Sequence, residues 1–499
     1  MRAMPAKATA LLTELRAAIG ADRVSTDPAD LIAYSYDGAW AEARPAVVLH
    51  PATTQHVSAV LRLADRERVP IVPRGAATGL AGGAAPIEGG WCLNLARMNQ
   101  IVEISVADSV AVAQPGVVTA TLHREVEKHG LFYPPDPASL HMCTIGGNVS
   151  TNAGGPRCLK YGVTADYVLG LEVVLAGGRV MRTGGRTIKD VAGYNLTQLF
   201  VGSEGTLGAI TEITLWLIPK PSTQATALAA FPRLADACEA VGKILASGIV
   251  PLVTELMDQA VVRAVDAFQR EQRVETRLPV DVEALLLVAV DGERDQVERD
   301  IDAIAATLRA SGARDVRRAR DAGEAEALWE ARRSVSPAII RLARDKLGED
   351  IVVPRSRIPL MVERIQRIAK THDVPIVVYG HIGDGNLHPT ILCDRRDAAL
   401  LARVEAAAAA IFDAAIELGG SITGEHGVGQ AKVDYVRRGV DPVALEAMLS
   451  IKRLFDQNGI MNPGRKLPPP TSNLQPPTSN FQLPTSNLQP PILTEARNG

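Results

Sequence analysis

The 499-residue chain contains no apolar run near the ~20 residues that a membrane-crossing helix needs. Its start, Met1 to Ile19, reads as a short amphipathic helix carrying Lys7, Glu14 and Arg16, without the apolar core and cleavage site of a secretory signal. The five cysteines (Cys92, Cys143, Cys158, Cys238 and Cys393) are few, odd in number and scattered, with no Cys-x-x-Cys. That excludes a disulfide framework and a zinc ribbon, and fits reduced thiols in a cytoplasmic protein. Neither sign of charge dominates: 53 basic and 56 acidic residues leave a net −3, which excludes a dedicated nucleic-acid face. No Gly-Lys-Ser/Thr completes a phosphate loop, and no nicotinamide fingerprint opens a helix. The expected location is the cytoplasm, with association at the inner face of the membrane left open.

Glycine, by contrast, is concentrated. Of 42 glycines, 22 lie between Gly75 and Gly208, just over a quarter of the chain. Glycine suits backbone that turns tightly or approaches a ligand closely, so this region is built to hold something against main chain. The length allows two to four domains. Short strands and helices run to Ile210–Leu217, and Pro219-Lys220-Pro221 marks a boundary. Examples are a strand at Ala46–His50, a helix at Thr54–Arg68 capped by Thr53/Thr54, and a Gly177–Gly178 hairpin. From 222 to 450 longer helices (Leu234–Ser247, Val297–Ser311, Ala322–Ala343, Leu400–Leu418) alternate with strands (Ala284–Val290, Val374–Tyr379, Leu387–Leu392). This predicts antiparallel strands covered by helices. The basic run Arg314–Arg320 reads as a solvated helix end or loop. Pro-Thr-Ser-Asn recurs three times within 468–499, and that proline-rich tail is expected to be disordered.

Four segments carry the glycine signal. They are Pro73–Gly83, Pro134-Pro135-Asp136-Pro137 with Cys143–Gly155, Lys160-Tyr161-Gly162, and Gly202–Ile210. Small residues at 73–83, directly after a strand, let successive N–H groups converge on an anion. Together the four segments closely resemble the FAD-binding domain of the vanillyl-alcohol-oxidase and p-cresol-methylhydroxylase superfamily. The match is to its glycolate oxidase flavin subunit and D-lactate dehydrogenase branch, from about residue 40 to 467, ending in Asn462-Pro463-Gly464-Arg465-Lys466. The fold implied is α+β: an N-terminal helical segment (1–40), a two-subdomain FAD-binding domain (41–221), an antiparallel-sheet substrate or cap domain (222–450) and a C-terminal return (451–467).

By this resemblance Pro73, Arg74, Gly75, Ala76, Ala77, Thr78, Gly79 and Leu80 hold the FAD pyrophosphate. Pro135, Asp136, Thr144, Gly146, Gly147, Asn148, Asn152 and Gly154 line pyrophosphate and flavin. Gly205 and Ile210 add backbone contacts, and Asn462 returns to touch the flavin. Relatives in other branches attach FAD through His or Cys. Neither occurs in 73–83, so FAD is expected to be non-covalent, with Cys143 a buried unreactive thiol.

A second constellation is Tyr379-Gly380-His381-Ile382-Gly383-Asp384-Gly385-Asn386-Leu387-His388-Pro389. An Asp384-Gly385 two-residue turn places His381 opposite His388, close enough for a shared metal ion, although histidines on a sheet are more often structural. Glu425, flanked by glycine in Thr423-Gly424-Glu425-His426-Gly427, offers a third ligand against the alternative of a capped turn. The family resemblance favours the metal, zinc first, with manganese or iron behind. It also makes Arg332 the substrate-carboxylate arginine, which on residue grounds alone is a solvated helix position. Ser336 adds a hydroxyl one turn on. Some 2-hydroxyglutarate-type relatives carry a lysine just ahead of the next strand. Gly348-Glu349-Asp350 shows none there, which favours a small monocarboxylate.

The resemblance implies oxidation of a D-2-hydroxy acid, D-lactate or glycolate, to the 2-oxo acid. Metal binding lowers the hydroxyl pKa, His426 or a neighbour of a metal ligand takes the proton, and hydride passes to flavin. Electrons then leave to an acceptor protein or quinone, with further glycolate oxidase subunits as partners and no nucleic acid. The alternatives are a flavin-bearing non-catalytic scaffold subunit and a metal-dependent hydrolase.

Overall fold

The computed structural model describes residues 6–274 and 277–470, so the proline-rich repeat expected to be disordered falls almost wholly outside the described residues. Two sheets form before residue 220. The first orders Val24–Ser25, Val47–Leu49, Trp91–Asn94 and Ile71–Arg74, the last three mutually parallel. Parallel neighbours need a crossover, and the helix Thr54–Glu67 supplies it. Thr53 caps that helix by accepting the His56 N–H at 3.2 Å, and Val57, Val60, Leu61 and Ala64 bury one stripe against the sheet. The second sheet is antiparallel, in the order Ile101–Ser105, Val110–Ala113, Ala209–Trp216, Val168–Val174 and Val180–Gly184. The chain returns to the first sheet near its end, where Met461 bridges in parallel to Ile71.

From residue 223 an antiparallel sheet dominates. Its order is Asp315–Arg318, Thr223–Phe231, Ala284–Gly292, Val253–Asp258, Ile376–His381, Asn386–Cys393 and Asp345–Gly348, with Ile351–Val352 also paired to Asn386–Cys393. The run Ala284–Val290 is apolar throughout because both of its faces are covered. Leu286 and Val288 meet the helices Leu234–Ala246, Arg294–Ala310, Ile358–His372 and Ala398–Glu417, whereas Leu285 and Leu287 meet Gln259–Glu271, Ala322–Arg333 and Val335–Ile339. Among the described residues no helix is long and apolar enough to cross a membrane.

Three local expectations are corrected. The helix predicted over Ala322–Ala343 breaks at Ser334 into Ala322–Arg333 and Val335–Ile339, and the chain re-enters the sheet by Asp345. The basic run at 314–320 forms the edge strand Asp315–Arg318, its charges held by Glu324, Glu298 and Asp302. Charged edges of this kind discourage further strand pairing. The hairpin register also differs: Tyr379, not His381, lies opposite His388, and residues 382–385 form the loop. The cause is tertiary. The Val353 N–H donates to the Gly385 carbonyl at 3.1 Å, and the loop tip is pressed against the 351–353 segment.

Gly385 has φ +93°, and a Cβ there would sit 2.1 Å from the Val353 carbonyl oxygen. Gly385→Ala is therefore expected to destabilise the protein by more than about 2 kcal/mol, with strain and clash acting together. Chemical denaturation checks this; an unchanged midpoint would contradict the packing described.

Candidate active site

The strand order places Val253–Asp258 beside Ile376–His381, so Glu255 is directly opposed to His381. His381 and Tyr379 share a face, which sets His381 diagonally across from His388, with ring centroids 5.1 Å apart. The segment Ser421–Gly429, following the helix Ala398–Glu417, then swings Glu425 over both rings. Its Oε1 lies 3.3 Å from His381 Nε2 and 3.4 Å from His388 Nε2. The three predicted ligands thus converge, their donor atoms within 4.8 Å of one another. Two imidazole nitrogens and one carboxylate oxygen form a donor set suited to zinc, manganese or iron with positions left for other ligands. His426 stacks on His388 at 5.2 Å and 7°, with its Nε2 3.9 Å from Glu425 Oε1.

Charge alternates through the site. Arg332 Nε and Nη2 each lie 2.6 Å from Glu255 Oε2, and Glu255 Oε1 meets His381 Nδ1. Burial pushes the Glu255 carboxyl up, but Arg332 and His381 outweigh it and hold it below the usual carboxylate range. Burial alone lowers His381, yet Glu255 and Glu425 together raise it well above an ordinary histidine. Burial and then the His381 charge push His388 down to about 3, so its ring is neutral and its lone pair available at neutral pH. Glu425, despite burial, is held at about 2 by the three histidines around it. Arg332 and His381 thus balance the two ionised carboxylates within the site.

A second grouping, Asp350, His388 and His426, also shares His388. Its carboxylate is already engaged: Asp350 Oδ2 accepts from the N–H groups of Gly424, Glu425 and His426 at 2.8–2.9 Å. In the His381, His388 and Glu425 set the neutral His388 offers a lone pair, and the His381 proton is what a bound ion would displace.

Arg332 is bound to Glu255 and lies over Tyr379 at 5.1 Å. Ser336 follows on the next helix, where Lys346 Nζ donates to its Oγ at 2.7 Å. No lysine directly precedes Ile351; the nearest one before it is Lys346. It lies on the Asp345–Gly348 strand, four residues earlier than Asp350, and its register puts it on the His388 face of the sheet.

The predicted cofactor segments meet around the loop after Ile71–Arg74. A Cβ on Gly75 would strike Thr144 Oγ1 at 2.4 Å, Thr78 Oγ1 accepts from Ser139 Oγ at 3.4 Å, and Gly205 lies against Pro73. Ala77 has φ +56°, and a Cβ on Gly79 would meet no protein atom within 4 Å, so its bare main chain faces open space. Asn462 Nδ2 donates to the carbonyls of Gly83 and Glu204 at 2.9 and 2.7 Å, while its buried Oδ1 has no protein partner. Bare glycine and an orphaned buried acceptor fit a cofactor at this place. Other predicted side chains serve the framework. Arg74 donates to the Tyr34, Tyr36 and Ala84 carbonyls, Asn148 to Thr119 Oγ1, and Asn152 accepts from the Ala165 N–H. Ile210 is packed in the core of the second sheet, and Asp136 is ion-paired to Arg157 at 3.2 Å. The two glycine regions touch where a Cβ on Gly154 would stand 2.7 Å from Glu425 Oε2.

The sequence reading missed Glu255, Asp350, Lys346 and Glu204. Glu255 had a signal, as a lone acid within the apolar strand Val253–Met257; the others carried none that spacing reveals.

Family models place this site in context. Residues 45–184 match the FAD binding domain and residues 220–465 match the C-terminal domain of FAD linked oxidases. The chain is 46% identical to the glycolate oxidase subunit GlcD of Bacillus subtilis, over 89% of this chain and 94% of that protein. It is 36% identical to a D-lactate dehydrogenase of Anaerostipes hadrus, over 85% and 90% respectively. The fold matches that of p-cresol methylhydroxylase with a TM-score of 0.78 at 20% identity, covering 93% of this chain and 98% of that one. With both domains in place around a site of this design, the chain belongs to the FAD-linked oxidases and is an enzyme of that family.

Proposed function

We propose that this enzyme oxidises a D-2-hydroxy acid, such as D-lactate or glycolate, to the 2-oxo acid. In this reading a divalent ion sits on His381, His388 and Glu425. The observation that carries it is the convergence of those three donors beside Gly154, with Arg332 and Ser336 on the neighbouring helices. When bound, FAD supplies the acceptor for the substrate hydride, and the divalent ion supplies a Lewis acid for the substrate hydroxyl. Arg332 presents a planar guanidinium to the carboxylate, pre-oriented by Glu255, and the Ser336 hydroxyl extends the same binding edge. His426, stacked on His388 and partly open to the site, receives the hydroxyl proton. Electrons then pass to an acceptor protein or quinone; that the Bacillus subtilis relative is named a subunit supports further subunits as partners. The FAD-binding domain leaves the hydrolase alternative without support, and the converged donors speak against a non-catalytic scaffold.

Lys346 favours a second reading within the same chemistry. A cation beside Ser336 is placed to hold another carboxylate, making a dicarboxylic 2-hydroxy acid a substrate.

Anaerobic mixing with a panel of D- and L-2-hydroxy acids is expected to bleach the flavin with D-acids or glycolate, and a chelator to abolish it. Bleaching that survives complete metal removal would take the ion out of the mechanism. His388→Ala is expected to lose both metal and bleaching while keeping FAD, whereas His426→Ala keeps both ligands and loses about 10²–10⁴ in kcat. Metal analysis beside single-turnover rates separates the two, and metal lost from His426→Ala would assign that residue to the ligand set instead. Lys346→Met is expected to lower the ratio of kcat/KM for a dicarboxylic over a monocarboxylic 2-hydroxy acid about tenfold. An unchanged ratio would remove Lys346 from substrate selection.

A further inference from the structure

The segment Ser421–Gly429 carries Glu425 and His426 yet lies in neither a helix nor a strand. Gly424, Gly427 and Gly429 leave it only Ile422 and Val428 to pack in the core, so the shape of the part between them is imposed from outside. At residues 424–426 a single side chain does this. Asp350, fully buried, places Oδ2 where it accepts from the backbone N–H groups of Gly424 (2.8 Å), Glu425 (2.9 Å) and His426 (2.9 Å) and from the Thr423 hydroxyl (2.8 Å). Its Oδ1 accepts from Asn386 Nδ2 at 2.7 Å and lies 3.7 Å from His388 Nδ1. Asn386 Nδ2 also donates to the Ile351 carbonyl at 2.8 Å, tying the carboxylate to the strand that bears His388. A Cβ on Gly424 would stand 2.5 Å from Asn386 Nδ2, so the residue is glycine where this pair fills the space. Asp350 is itself anchored, its carbonyl accepting from the buried Lys432 Nζ at 3.0 Å, which also reaches the Ile422 carbonyl.

An anion enclosed by converging N–H dipoles binds them more strongly than a neutral acceptor does. The positions of Glu425 and His426 relative to His388 therefore pass through one carboxylate. We infer that Asp350 is a positioning residue that templates the Glu425–His426 turn and so sets the geometry of the metal site, without ligating the ion. This rests on the metal reading proposed above. Outer groups of this kind commonly change metal affinity 10–100-fold when removed.

The test uses the full-length, FAD-loaded protein with Co²⁺ as the probe. Asp350→Asn keeps the shape and removes the charge; Asp350→Glu keeps the charge and displaces it by one methylene. Both are expected to retain FAD and the melting temperature of flavin release. Both should also raise the Co²⁺ dissociation constant about 10–100-fold and alter its visible d–d spectrum, a change that a merely structural role does not predict. Thr423→Val, which deletes only the hydroxyl donor and is mild enough to fold if the others do not, is expected to raise it about fivefold. Asp350→Asn or, if it fails to fold, Thr423→Val with a dissociation constant within twofold of wild type and the same spectrum overturns the inference while the metal reading stands. Wild-type protein that takes up no Co²⁺ overturns both. Metal lost equally from Asp350→Asn and His426→Ala, but kept by Glu425→Ala, also overturns it by making Asp350 a ligand.

Discussion

The candidate active site hangs on one irregular loop clasped between two buried carboxylates. Asp350 gathers the N–H groups of residues 424–426, and Glu204 accepts from Val428 at 2.9 Å and Gly429 at 2.6 Å. Beyond the Val352–Ser421 bridge and the buried Ile422 and Val428 the loop has little to hold it, so these anions do what a sheet does elsewhere. Glu204 also draws in Lys466, and its carbonyl accepts from Asn462. Loop, the Gly82-Gly83 turn and the returning C-terminus are therefore one hydrogen-bonded unit, in which a missing acceptor would strand several buried donors.

That network explains why polar groups are tolerated at the centre of a large apolar sheet. Arg332, Glu255, His381 and Glu425 alternate in sign, so each buried charge faces its opposite. Paired burial of this type contributes little to stability compared with an apolar replacement. Its retention in a core otherwise packed with Leu285, Leu287 and Val377 points to chemistry rather than to folding. Burial and the His381 charge keep His388 neutral, while Glu255 holds Arg332 in place.

Glycine plays two distinct roles around this centre. In the FAD-binding domain Gly79 leaves main chain bare toward open space, as a cofactor-facing loop requires. At the junction the need is for close approach: a Cβ on Gly429 would sit 1.9 Å from the Ala81 carbonyl oxygen, and one on Gly383 would sit 2.5 Å from the Leu159 side chain. Two glycine-rich stretches far apart in the chain meet because only glycine lets the two domains touch at backbone distance.

By itself the sequence determined the glycine-lined cofactor region, the existence of the His381–His388 hairpin, and the identity of Glu425 and its partners as ligand candidates. These are recorded in local spacing, turn chemistry and the resemblance of short motifs. Tertiary structure decided the rest. It moved the hairpin register so that Tyr379 faces His388, with the loop tip held by Val353 as well as by its own turn. It turned Ala322–Ala343 into two helices and placed Lys346 beside Ser336. It also chose Glu255 as the partner of His381 across 126 residues of chain, and Asp350 as the clasp of a loop 74–76 residues away. Periodicity reports only which face of its own element a residue occupies, whereas these contacts are set by which strand lies next to which.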